Sequence, residues 1–175
     1  MSNSKSGLLT VRELSDSDET AFLKCLDDWS IEDRSWMTFD WKPGMTHKQH
    51  LKILYKCKNN IELPSQFVPA TMLYGFVDDE IIGRVHLRHE LNQNLLERGG
   101  HMGYAVSERF RKKGYGLALA KAGLEYLKSK LLVKDVLITC AKDNQASIHI
   151  IENLGGKLEN IIDDKDGVAT CRYWV

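Results

Sequence analysis

Two kinds of apolar spacing follow one another along the chain, and the switches between them mark its elements. "LLTVREL" alternates apolar and polar positions, the period-2 pattern of a strand. "SDSDETAFLKCLDDW" follows with Ser15 and Asp18 in a capping arrangement and apolar residues at helical steps. "THKQHLKILYKCKN" predicts a second helix, capped by Thr46, with Leu51, Leu54 and Tyr55 on one stripe. Pro64 and Pro69 mark a loop. "ATMLYGFVDDEIIGRVHLR" predicts two strands joined by a tight turn at Asp78 and Asp79, and "HMGYAV" predicts another strand. Beyond it Leu117, Ala120, Leu124, Leu127 and Leu131 recur at helical steps, so a long helix buries one face. "DVLITCA" is apolar on both faces, as in a strand inside a sheet. "NQASIHIIENLGG" predicts a helix capped by Asn144 and stopped by Gly155, and "ATCRYWV" a last strand.

This order predicts an α/β (α+β layered) fold: a single mixed β-sheet with helices on both faces, in one domain spanning residues 1–175. The unit from His101 to Ala141 is expected to be a right-handed parallel crossover. Lys plus Arg and Asp plus Glu both number 24, so no bulk charge points to nucleic acid or an anionic membrane. Any functional charge is therefore local. The four cysteines show no C-x-x-C spacing, and no apolar run approaches the roughly 18 residues of a membrane span. A cytoplasmic protein with free thiols is expected.

The local charge lies in "RFRKKGYGLALAK", where basic residues and two glycines precede the long helix. Glycines at a helix start let backbone N–H groups approach an anion that the helix dipole also favours. The P-loop pattern G-x-x-x-x-G-K-[ST] is absent, and Leu119 holds the third glycine position of a Rossmann fingerprint. The pattern [RQ]-x-x-G-x-[GA] is met by Arg111, Gly114 and Gly116.

With "GGHMGYAV" before that loop and "CAKDNQASIHIIENLGG" and "RYW" after it, the chain resembles the GNAT superfamily of N-acetyltransferases along nearly its whole length. It is most similar to a bacterial group of predicted acetyltransferases that also carries "GRVHLRHELN". The resemblance implies a GNAT fold and acetyl-CoA as cosubstrate. It implies a pyrophosphate cradle over Arg111, Lys112, Lys113, Gly114, Tyr115 and Gly116. It also implies that the pantetheine lies along Tyr104, Ala105 and Val106, where two strands splay, with Asn144 and Ser147 meeting the cofactor from the last helix. Helix capping accounts for Asn144 and Ser147 as well, and "HMGYAV" could equally be an ordinary core strand. The implied reaction is direct attack by a primary amine of a small molecule or peptide within a ternary complex, with a homodimer possible. A non-catalytic acyl-CoA sensor and a longer acyl chain, accommodated at Gly103 and Ala105, are the alternatives.

The expected proton chemistry is less complete. Many superfamily members carry a tyrosine seven residues after the asparagine; here that position is Ile151, and Ser147 is the nearest substitute. His101 is the candidate base, against the plain reading of a sheet histidine, with Glu90 and His86 behind it. His86 and His89 fall on opposite faces of a strand, so no metal site is expected. Acceptor selection is expected from Asp27 to Trp41, where Asp27, Asp28, Glu32, Asp33 and Asp40 interleave with Trp29, Trp36 and Trp41. That mixture suits a cationic amine; tryptophans in the core beside solvated acids are the bland alternative.

Overall fold

The computed structural model describes residues 8–29, 40–164 and 166–175. Its centre is a hairpin of β2 (Ala70–Val77) and β3 (Glu80–Arg88). The turn falls on Asp78 and Asp79 with φ of 48° and 63°, the left-handed pair that matches the twist of the flanking strands. Every residue of β2 is buried. β1 (Thr10–Arg12) pairs with β2, and β4 (Met102–Val106) with β3, giving a four-stranded antiparallel sheet in the order β1-β2-β3-β4.

The expected single sheet is divided after β4. β5 (Leu137–Ala141), β6 (Lys157–Asp163) and β7 (Ala169–Trp174) form a second antiparallel sheet in the order β5-β7-β6. β6 was not expected, because it reads as a polar segment and nearly all its residues are exposed. A five-residue helix, Gln93–Glu97, also escapes the sequence pattern.

Strand alternation separates two cores. Met72, Tyr74 and Phe76 meet Phe22, Cys25 and Leu26 of α1 (Glu19–Asp27), with Leu54 of α2 (His47–Lys58) at the margin. Leu73, Val85 and Leu87 face the other way and join Ile138 and Cys171 of the second sheet. Taking Gln93–Glu97 as α3, the long helix after it is α4 (Tyr115–Ser129), and its buried residues are Leu119, Ala120, Gly123 and Leu127. The face is thus centred beside the expected stripe, with Leu124 and Leu131 at its edge. A Cβ on Gly123 would lie 2.7 Å from Met102 Sδ and 2.8 Å from Val85 Cγ1, so only glycine lets α4 lie this close to β3 and β4. α5 (Gln145–Asn153) is capped as expected: the Asn144 side chain accepts from Ser147 N–H. Gly155, with φ of 87°, follows its last turn.

Candidate active site

The two sheets meet at one point and then part. His101 N–H donates to the Leu137 carbonyl at 2.7 Å, and Leu137 N–H donates to His101 Nδ1 at 3.0 Å. Gly100, with φ of 58°, lies so close that a Cβ would sit 2.3 Å from the Leu137 oxygen. β4 and β5 both begin at this contact and separate beyond it. The gap, of about 310 Å³, is lined by Met102, Gly103 and Tyr104 on one side and Ile138, Thr139, Cys140 and Ala141 on the other. Asn144 and Ser147 at the start of α5 also line it.

The ladder determines which backbone groups face the gap. Ser107 N–H bonds Ile82 O and Arg88 N–H bonds His101 O, so alternate residues of β4 are engaged with β3. Tyr104 and Val106, between them in phase, turn their N–H and C=O toward the opening. Arg111 Nε donates to the Val106 carbonyl at 2.9 Å and ties the basic loop to the end of β4. In that loop Lys112 and Gly114 take φ of 59° and 84°. α4 then starts with Gly114 as its N-cap, and Ala118 N–H bonds Gly114 O at 3.2 Å. The N–H groups of Tyr115, Gly116 and Leu117 have no intrahelical acceptor, as at any helix start. Arg111, Lys112, Lys113 and Gly114 are exposed beside them. Gly114 meets open space, whereas a Cβ on Gly116 would lie 3.0 Å from Ile150 Cδ1, so Gly116 serves the contact of α4 with α5.

The expected proton-handling residues do not gather in one place. Ser147 is half-buried at the gap, its N–H bonded to Asn144 Oδ1 at 3.0 Å. Ile151 is fully buried in the core. His101 lies behind the gap, where its ring nitrogen holds β5, and burial together with Arg88 lowers its pKa. Glu90 is exposed beyond the end of β3 and lines neither this gap nor the cavity described below. Sequence reasoning valued Tyr104 for its backbone alone, yet its hydroxyl donates to the Ser147 carbonyl at 3.5 Å inside the gap. Burial pushes that phenol up to about 12, with Cys140 contributing. Alternation along β4 sets its ring on the face opposite to that of Gly103.

A second cavity, of about 510 Å³, opens on the other face of β3, under α2 and the loop at Pro64. His86 and Arg88 lie in its lining, and Arg88 also lines the gap. His86 is the ladder partner of Gly103. Burial, with Arg88 and Arg84 nearby, holds the His86 imidazole well below its ordinary pKa. Arg88 Nη1 donates to the carbonyls of Gly99 and Gly100 at 2.8 and 3.2 Å. Burial and Arg84 lower its pKa to about 10, which leaves it a cation at neutral pH.

The acidic, tryptophan-rich segment is spent largely on structure where it is described. Trp29 is buried, and Trp41 meets the Phe22 ring edge-on at 6.2 Å. Asp28 pairs with Arg109 at 2.8 Å, and Asp27 is exposed at the end of α1. Asp40 is buried between Arg84 and His50, at 2.9 Å from each. Burial alone would raise its pKa, but the bonds from His50 and Arg84 bring it to about 2. Glu32, Asp33 and Trp36 lie outside the described residues.

The family model of the acetyltransferase (GNAT) domain matches residues 9–157. The GNAT-family acetyltransferase from Bacillus anthracis has 15% identity and a TM-score of 0.61, over 98% of this chain and 96% of that one. The GNAT-family acetyltransferase from Streptococcus pneumoniae has 14% identity and a TM-score of 0.61, over 96% and 99%. Mutant forms of the spermidine/spermine N-acetyltransferase SpeG from Vibrio cholerae reach 18% identity and a TM-score of 0.61, over 96% and 94%. At such identity these likenesses establish the fold. No curated protein matches the chain.

Proposed function

The chain belongs to the GNAT acetyltransferase family, and from that premise we propose that it passes the acetyl group of acetyl-CoA directly to a primary amine, with both substrates bound at once. Acetyl-CoA is the cosubstrate of the family. The observation that carries the reading is Arg88, which lines both the gap between the sheets and the cavity under α2. A thioester threaded through the gap and an amine held in the cavity would meet beside it.

The pyrophosphate suits the start of α4, where the first N–H groups of the helix follow directly on the exposed Arg111, Lys112 and Lys113. The pantetheine suits the open edge of β4, with Asn144 and Ser147 across from it. An N–H on that edge, from Tyr104 or Val106, polarises the thioester carbonyl and holds the oxyanion. The amine nitrogen attacks the carbonyl carbon, and the C–S bond breaks as the amide forms. The proton leaving the nitrogen passes to His86 or through it to water. The departing sulfur accepts a hydrogen bond from Tyr104 or Ser147, and water completes its protonation. A phenol near 12 is a weaker acid than a thiol near 8.5, so Tyr104 steadies the thiolate rather than surrendering its proton. His101 positions the strands, and Glu90 has no part. The four unpaired cysteines suit a reducing, cytoplasmic setting.

Release of free coenzyme A thiol from acetyl-CoA, with and without added primary amines, tests the reading. Thiol release that depends on the amine is expected. Acetyl-CoA that binds by calorimetry yet yields no amine-dependent thiol would contradict it.

A further inference from the structure

From the cavity under α2, we infer that the acceptor carries its amine on an apolar body, aliphatic or aromatic, and bears no second positive charge. This rests on the acetyl-transfer reading above and narrows it to a substrate class. The cavity volume, about 510 Å³, lies within the range of small-molecule sites. Met72 and Ala70 of β2 form its floor with His86 and Arg88, while Leu54, Val68 and Leu95 close its sides.

Among the described residues, the charged groups that line it are already committed. Asp40 is bonded to Arg84 and His50. At the rim Lys56 pairs with Glu62. Arg88 brings positive charge to the floor, where its bonds run to carbonyl groups. A second ammonium would therefore meet the Arg88 guanidinium, the Lys56 ammonium and two carboxylates, Asp40 and Glu62, that each already hold another cation.

An apolar cavity also helps the reaction. Removing an ammonium from water disfavours its charged form and lowers its pKa, so a desolvated amine approaches the neutral, nucleophilic state. Arg88 acts in the same direction as a like charge. This lightens the demand on His86, whose depressed pKa makes it a weak base.

The test measures binding of n-propylamine through n-hexylamine, 1,6-diaminohexane and spermidine to the coenzyme A-loaded protein by calorimetry, alongside thiol release from acetyl-CoA. Affinity is expected to rise about threefold to fourfold per added methylene until the cavity is full. Hexylamine should bind at least about tenfold more tightly than the diamine, as expected when a second charge is buried unpaired. Leu54→Asp should reverse that order, and Ile53→Asp, at a more exposed position in the lining, should flatten the series without unfolding the protein. An alkyl series with no slope, or spermidine or the diamine binding more tightly than hexylamine, would overturn the inference. Hexylamine that binds with the expected slope but releases no thiol would sustain the site and contradict acetyl transfer instead.

Discussion

His101 and Leu137 hold each other twice, side chain to backbone and backbone to backbone, at 3.0 and 2.7 Å. The pair fixes the point from which β4 and β5 diverge. Because Nδ1 accepts a bond, the neutral ring carries its proton on Nε2. His101→Phe should leave a buried N–H unsatisfied and cost about 1–3 kcal/mol in denaturant unfolding. It should also raise KM for acetyl-CoA, because the gap loses its fixed end. The acidic limb of the kcat/KM profile should be unchanged, and its loss in this variant would return His101 to the proton chemistry.

Gly114 and Gly155 give a matched pair for testing the cradle. Both take left-handed φ, 84° and 87°, and a Cβ at either meets nothing within 4 Å. Alanine at each should therefore cost a similar backbone strain, about 1–2 kcal/mol. Gly114→Asp should in addition abolish acetyl-CoA binding, since a carboxylate would face the pyrophosphate. Gly155→Asp should not. Equal acetyl-CoA affinity in the two folded aspartate variants, by calorimetry, would remove the cradle from the loop.

Much of the frame was legible because its signals are local. Thr46, the Asp78–Asp79 turn and the Asn144 cap each act within a few residues, and each forms as the sequence indicates. Distant partners were not legible. Asp28 and Arg109 lie far apart in the chain, as do Asp40 and Arg84, and each pairing commits one acid of the segment expected to select the acceptor. The division of the sheet depends on a bend at Gly99 and Gly100 and on a histidine bond across it, neither of which leaves a periodic trace. The cavity under α2 draws on a helix, a proline-flanked loop and two strands, so no one segment announces it.

Acid should weaken the fold in a defined window. Burial lowers the pKa of His86, His89 and His101, with Arg88 adding to it at His86 and His101 and Lys58 at His89. The unfolded chain, with histidines near 6.5, then binds more protons than the native one at mildly acidic pH. This stability is complete above about pH 6.5 and is lost as pH falls through the depressed folded values. The melting temperature should drop between pH 7.5 and 5.5, and a rise over that interval would contradict the assignment.

Tyr104→Phe removes the hydroxyl that lies beside Ser147 and leaves the ring in place. A hydrogen bond to a charged sulfur contributes about 1.5–3 kcal/mol, so kcat should fall roughly 10- to 100-fold with little change in acetyl-CoA affinity. Ser147→Ala should cost less, since the Asn144 cap uses the Ser147 backbone. Full turnover in the Tyr104→Phe, Ser147→Ala double variant would assign the thiolate to water alone.

The meeting of two substrates beside Arg88 is tested most directly by initial rates with acetyl-CoA and hexylamine varied together. Direct transfer in a ternary complex requires double-reciprocal lines that intersect. The alternative is an acetylated enzyme, for which Cys140 in the gap is the available thiol, although burial and Cys171 push its pKa up to about 11 and disfavour the thiolate. Intersecting lines, unchanged in Cys140→Ala, are the expected result. Parallel lines, with an acetyl group recovered on Cys140, would contradict it.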